Sequence, residues 1–286
     1  MSTRVPFQQV DVFSAVPFRG NPVAVILDGN RLSKEQMQQI ANWTNLSETT
    51  FVCEPTDPLA DYRLRIFTPM SELKFAGHPT IGSAHAVLRH GLRPRTEGRL
   101  VQQCGKGLVS LQIEGDRVFL TLPEPKMQDI PSKQMRKLAG VLGVAPSEVR
   151  AGALVDVGVE WLTLQLANAD QVRSISPDMA GVEEMTPPGA TGIAVFGMEP
   201  PGSGTQVEVR AFAPAEGIPE DPVCGSGNGC VALLIRHLGL VEGAGYSARQ
   251  GRTVGRDGRV EVRYSPGGEI MLGGHAVTCI EGAICL

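Results

Sequence analysis

The pattern Arg-x-Phe-x-Pro occurs twice, at Arg65-Ile66-Phe67-Thr68-Pro69 and at Arg210-Ala211-Phe212-Ala213-Pro214. The two copies lie 145 residues apart in a chain of 286. Each leads through an acid, Glu72 or Glu216, into a loop of small residues followed by an apolar run. The first loop reads Phe75-Ala76-Gly77-His78-Pro79-Thr80-Ile81-Gly82-Ser83-Ala84, and the second Val223-Cys224-Gly225-Ser226-Gly227-Asn228-Gly229. A repeat spaced at half the chain narrows the choice of fold sharply, because each copy has to build the same supersecondary unit. A second echo runs in the same order. Ser33-Lys34-Glu35-Gln36-Met37 and Ser132-Lys133-Gln134-Met135 each place a serine where it can cap the first N–H groups of a helix. Caps and glycine loops are common, so coincidence is the alternative; two ordered echoes favour duplication.

Within each half, short strand-like runs outnumber helices. Val23–Leu27, Thr49–Cys53, Leu108–Ile113 and Val118–Leu122 have strand composition bounded by Gly, Pro or charge. Trp161–Leu166, Gly192–Phe196 and Gln206–Arg210 read the same way in the second half. Helices are expected to start near Gly82 and Gly229, where Ala84–Leu88 and Val231–Leu238 are continuously apolar. A helix that is apolar on most sides is a buried one. Each half is therefore expected to be a sheet wrapped around one central helix. Leu122-Pro123-Glu124-Pro125, stiffened by two prolines, is the expected linker.

The length suits two domains, and 42% hydrophobic residues with 20% charged ones suffice for two cores. The formal net charge is −4 and the basic residues are scattered, so the stripe that nucleic acid demands is missing. No apolar run approaches the ~18 residues that span a bilayer. The start, Met1-Ser2-Thr3-Arg4-Val5-Pro6, does not read as a signal peptide, which makes the cytoplasm the expected compartment. None of the six cysteines forms a CxxC pair or a zinc-ligand spacing. In a reducing compartment most are expected to be small buried hydrophobes.

Both central helices are expected to begin directly after a glycine-rich loop. Free N–H groups and the positive end of a helix dipole make an anion site. If the two ends face one another, a carboxylate fits between them. Gly77, Gly225 and Gly227 would let the backbone approach such a ligand; alternatively they serve only tight turns. Neither loop has the spacing of a nucleotide fingerprint. Three polar residues stand beside these loops: His78 after Gly77, Asp221 before Pro222, and Glu48 in Asn45-Leu46-Ser47-Glu48-Thr49. Taken singly, an acid at a strand entrance is usually solvated and a lone histidine usually structural.

Four separated segments together are more specific. They are Asp11-Val12-Phe13 with Pro17-Phe18-Arg19-Gly20-Asn21-Pro22-Val23-Ala24-Val25, then Asn45-Leu46-Ser47-Glu48-Thr49, then Phe75-Ala76-Gly77-His78-Pro79-Thr80, then Glu220-Asp221-Pro222-Val223-Cys224-Gly225-Ser226-Gly227. In this order they resemble the phenazine-biosynthesis PhzF-like isomerase family. Gln250-Gly251-Arg252 and Gly273-Gly274-His275-Ala276-Val277 extend the likeness nearly to the C-terminus. The resemblance implies a diaminopimelate-epimerase-like α/β fold of two pseudo-repeated halves, each a curved sheet around a central helix. The last strand is then expected to return to the first half, giving domains of 1–124 plus 276–286 and of 125–275. It implies a cofactor-independent isomerase, with no metal, that shifts a proton on a small carboxylate-bearing substrate of the dihydro-hydroxyanthranilate type. Glu48 would be the acid/base, His78 and Asp221 would assist, and backbone groups at Gly77, Gly225 and Ser226 would hold the substrate carboxylate. A homodimer is expected from the family alone, since no heptad or apolar stripe encodes one.

One departure bears on mechanism. Related racemases and epimerases use a cysteine at each loop, whereas here the first position is Ala76. The second is Cys224, where PhzF-like proteins commonly carry Thr. A thiol at a helix start can have a lowered pKa. Cys224 could then oppose Glu48 as a second base in an amino-acid racemase or epimerase; replacement of Thr as a small packing residue is the favoured reading. A non-catalytic protein that binds a small acid is the remaining alternative.

Overall fold

A computed structural model describes residues 4–285. The chain divides into two units, Met1–Thr121 with Gly273–Leu286, and Leu122–Leu272. The first contains β1 (Arg4–Val12), β2 (Asn21–Ile26), α1 (Lys34–Thr44), β3 (Thr49–Cys53), β4 (Tyr62–Phe67), β5 (Glu72–Leu73), α2 (Gly77–Arg89), β6 (Arg99–Cys104), β7 (Gly107–Glu114) and β8 (Arg117–Thr121). The second contains β9 (Lys126–Asp129), α3 (Ser132–Leu142), β10 (Val149–Asp156), β11 (Glu160–Leu166), α4 (Ala169–Ser174), α5 (Met179–Met185) and β12 (Ala190–Met198). It continues with β13 (Val207–Ala213), β14 (Ile218–Asp221), α6 (Gly225–Leu238), β15 (Gly245–Gln250) and β16 (Gly258–Tyr264). A final long strand, β17 (Ile270–Cys285), begins in the second unit and ends in the first.

In the first unit the strands close on themselves. β17 pairs with β1 and β1 with β2, both antiparallel; β2 and β3 are parallel, β3 and β4 antiparallel, β4 and β6 parallel. β6, β7 and β8 form an antiparallel meander, and β8 returns to β17. A closed ring leaves no sheet edge within it, and its inward-facing positions need filling. Helix α2 packs against β1, β2 and β8. Residues 78–84 of α2, with Ala86 and Val87, are buried. Gly82 shows why small residues recur here: a Cβ at that position would lie 2.5 Å from Val23 Cγ1 and 2.8 Å from Val12 Cγ2.

The second unit repeats this order. β10–β11 is antiparallel, β11–β12 parallel, β12–β13 antiparallel, β13–β15 parallel and β15–β16 antiparallel. That matches β1–β2–β3–β4–β6–β7 pair for pair, with α6 standing where α2 stands. Ten of the fourteen residues of α6 are buried. A second core, with Leu138, Leu162, Leu164, Val195 and Phe212, fills the space between the sheet and helices α3 to α5. The Arg-x-Phe-x-Pro repeat is structural. Arg65 bonds both oxygens of Glu72 at 2.7 and 2.8 Å and lies 5.2 Å from the centre of the Phe67 ring. Arg210 does the same with Glu220, at 2.9 and 2.8 Å, and lies 4.9 Å from the centre of the Phe212 ring.

Three local expectations are corrected. The acid that completes the second copy is Glu220, not Glu216, because Glu216 sits in a tight turn and the β13–β14 pairing brings Glu220 to the arginine. The serine echo is coincidence. Ser33 caps α1 with a reciprocal bond from Gln36, but α3 precedes β10 and its cap position is Pro131. Helices α2 and α6 start at Gly77 and Gly225, earlier than near Gly82 and Gly229, so those glycines are helical packing residues. None of the helices among the described residues is long and apolar enough to cross a membrane.

Candidate active site

Two groups of candidate residues stand out, one in each unit. In the first, α1 ends at Asn45, which adopts a left-handed conformation (φ 53°) and turns the chain towards β3. Glu48 is carried on that short connection. His78 is on the first turn of α2, which puts its Nε2 3.4 Å from Glu48 Oε2. The geometry is that of a close contact rather than a hydrogen bond, and Glu48 Oε2 is a buried oxygen without a hydrogen-bond partner. The Glu48 side chain is 16% exposed overall, so its small exposure falls on other atoms. Burial pushes its pKa up to about 7, against the opposing pull of a hydrogen bond with Ser47. Beside them, a Cβ at Gly77 would meet only Leu120 Cδ2, at 4.0 Å, so this stretch of backbone is open to close approach. The α2 cap, Ala76, offers no side-chain acceptor to the first turn, and Pro79 has no N–H to donate.

In the second unit Asp221, Cys224, Gly225, Ser226 and Gly227 form one turn leading into α6. Asp221 Oδ1 accepts from Val223 N–H at 3.0 Å, the local bond that makes aspartate a natural turn former. Cys224 is the helix cap, its Sγ accepting from Gly227 N–H at 3.2 Å. A Cβ at Gly227 would lie 3.2 Å from that sulfur, so glycine makes room for the thiol cap. The thiol pKa is raised, not lowered as the racemase alternative requires. Burial pushes the Cys224 thiol well up and the Asp221 charge adds to it, outweighing the bonds from Ser226 and Gly227. Ser226 Oγ accepts from the indole N–H of buried Trp161 at 3.0 Å. Cys224 N–H and Gly227 N–H are satisfied, which leaves Gly225 and Ser226 as the first-turn donors available to an anion.

The structure thus brings Glu48 and His78 together, and brings Asp221, Cys224, Gly225, Ser226 and Gly227 together. Sequence reasoning gave no role to Trp161, Asn228 or Gln250, all of which bond to the second turn. The one available signal was that Gln250-Gly251-Arg252 fell inside the family resemblance. Two surface depressions, one lined by Asp61, Arg95 and Arg99 and the other by Lys34, Arg63 and Lys74, contain none of these residues.

The architecture is that of the diaminopimelate-epimerase-like proteins, with two pseudo-repeated α/β halves each built around a central helix. A phenazine biosynthesis protein of the PhzF family from Bacillus anthracis superposes with a TM-score of 0.86 at 24% identity, over 99% of this chain and 100% of that one. Among curated proteins, antisense-enhancing sequence 1 of Schizosaccharomyces pombe is 40% identical over 98% of both chains. The trans-2,3-dihydro-3-hydroxyanthranilate isomerase of Pseudomonas fluorescens is 30% identical over 97% of this chain and 98% of its own. The PhzC-PhzF model, described as phenazine biosynthesis-like protein, matches residues 10–282. The chain belongs to that family, and isomerase is its enzyme class.

Proposed function

We propose that the protein moves a proton between two carbons of a small, ring-bearing carboxylate, with Glu48 as the acid/base and no cofactor. The observation that carries this reading is the Glu48 carboxyl, buried, held at a pKa of about 7, and 3.4 Å from His78. An ordinary carboxylate is too weak a base at neutral pH, and one poised near 7 both accepts and returns a proton there. In the ionised form Glu48 removes a proton from carbon; in the protonated form it delivers it to a second carbon. His78 steadies the charge as it passes. In the second unit, we read the N–H groups of Gly225 and Ser226 as an anion site that suits a carboxylate, and Asp221 beside them as a group that assists proton movement.

Relatives at about 30% identity named trans-2,3-dihydro-3-hydroxyanthranilate isomerase support that compound as the first substrate to try. The relative at 40% bears a name that states no reaction, so the substrate class rests on the former group. The Glu48–Cys224 racemase is disfavoured, because the raised thiol pKa and the capping bond both suit a structural cysteine. A protein that only binds acids would have no use for a buried carboxyl oxygen without a hydrogen bond, which is costly to keep.

The test is deuterium incorporation and isomer formation followed by NMR in heavy water. The compounds are the dihydro-hydroxyanthranilate and a panel of unsaturated and amino carboxylic acids. Exchange lost in Glu48→Gln and kept in Cys224→Ser supports the Glu48 shuttle. Loss in both favours the racemase, and no exchange with any compound returns the protein to an acid-binding role.

A further inference from the structure

Gln250 is the last residue of β15, and its backbone is already engaged in the sheet, opposite Val209 on β13 and Gly258 on β16. Its side chain is completely buried and bonds the turn before α6 and Asn228 within that helix. Nε2 donates to Asp221 O at 2.8 Å. Oε1 accepts from Cys224 N–H at 3.1 Å and from Asn228 Nδ2 at 2.7 Å. Asn228 Nδ2 also donates to Cys224 O at 2.9 Å, so one amide pair fixes both ends of the segment from Asp221 to Cys224. The chain beyond Gln250 presses on the same turn. Gly251 has φ 99°, and a Cβ there would fall 2.4 Å from Pro222 O. Arg252 then anchors the segment, 3.7 Å from buried Glu208.

We propose that Gln250 is a positioning residue whose amide polarity sets the substrate-binding turn. By occupying Cys224 N–H it removes that donor from the ligand, leaving the N–H groups of Gly225 and Ser226 as the pair presented to a carboxylate. By holding Asp221 O it fixes the backbone from which the Asp221 carboxylate projects. The proposal rests on the reading of this turn as the carboxylate site. The polarity matters because the side chain must offer one acceptor to two donors and one donor to a carbonyl. A leucine supplies neither. A glutamic acid supplies both while protonated and loses the donor on ionisation, turning a carboxylate oxygen against Asp221 O.

Gln250→Leu and Gln250→Glu are made in the full chain, and KM and kcat for trans-2,3-dihydro-3-hydroxyanthranilate are measured from pH 5 to 9. Trp161 fluorescence supplies a readout independent of turnover, because its indole bonds Ser226 Oγ. The other tryptophan, Trp43, is 84% exposed and is removed as Trp43→Phe in every sample. Asp221 and Cys224, whose backbones bond the side chain, and Arg252, Arg256 and Glu208 around the adjoining segment are all present in the Gln250 control.

Gln250→Leu is expected to raise KM on the order of tenfold or more, since it strands buried donors and an acceptor. The kcat/KM limb belonging to Glu48 stays near pH 7. Gln250→Glu is expected to match the parent protein at low pH and to acquire a KM that climbs with pH, with Trp161 emission shifting over the same range. The proposal is overturned if KM in Gln250→Leu equals the parent's. It is equally overturned if Gln250→Glu behaves the same at every pH, which would make the side chain a packing volume. Should the parent turn over nothing, the proposed function fails by itself. The pH-dependent Trp161 shift, present in Gln250→Glu and absent in the parent, then decides the turn alone. If Gln250→Leu does not fold, the change in Gln250→Glu between low and high pH carries the comparison.

Discussion

At the scale of single residues, the cost of Glu48 is measurable apart from its chemistry. The folded protein holds this proton with a pKa of about 7, while the ordinary value for glutamate is 4.5. Ionising it therefore weakens the fold. The penalty is absent below the unfolded pKa, grows as pH rises, and is complete above 7. At ~1.4 kcal/mol per pKa unit the full penalty is on the order of 3 kcal/mol. Glu48→Gln is accordingly expected to melt above the parent at pH 8 and level with it at pH 4; equal melting at both would mean the carboxyl is not held at a raised pKa. Activity runs the other way, since the base must be ionised. For the parent, kcat/KM is expected to rise with a midpoint near pH 7, and a limb near 4.5 would remove Glu48 from the role. Cys224 belongs to the helix rather than to the chemistry in this account. Cys224→Ala deletes the acceptor of Gly227 N–H and is expected to lower stability by about 1 kcal/mol. Cys224→Thr, with a stronger oxygen acceptor, is expected to restore it with turnover intact. Loss of turnover in Cys224→Thr would reopen a role for the thiol.

At the scale of elements, the two central helices depend on residues too small to crowd the strands around them. Gly82→Ala places a methyl group into Val23 and Val12 and is expected to destabilise by roughly 1–3 kcal/mol by chemical denaturation. A neutral result would mean that β1 and β2 yield easily there. This packing explains what the sequence shows and what it hides. The strands and the Arg-x-Phe-x-Pro copies are legible because they express short-range preference and repeated chemistry. The helix starts are not, because glycine reads locally as a turn and only the neighbouring strand explains Gly82 inside a helix. Pairing of β14 with β13 selects Glu220 over Glu216, and no spacing rule anticipates a register. Glu48 alone reads as a solvated acid. Its raised pKa comes from burial, which depends on how its surroundings assemble, so the family resemblance was the only sequence signal for it. Gln250 was hidden for the same reason, since its partners lie 22 to 29 residues away along the chain.

For the whole molecule, the decisive feature is that the first unit is discontinuous. Its ring closes through β17, which pairs with β1 from Arg4 opposite Cys285 to Val12 opposite Ala276. Deleting residues 276–286 strips that partner from β1. Hydrogen exchange is expected to show peptides over β1 losing protection while those over β10 to β12 keep theirs. Undiminished protection of β1 would mean that the ring does not need its last strand. A ribosome makes the chain from its N-terminal end, and this gives the topology a temporal meaning. The partners of β10 to β13 are all made by residue 250 and β16, the partner of β15, by residue 264, so the second unit has its strands while the first still lacks one. Strand β1 is made before every other described strand and waits for β17, the last of them. The unit that is translated first is therefore the one that is finished second, and until then its open edge is the part of the nascent chain most in need of shielding.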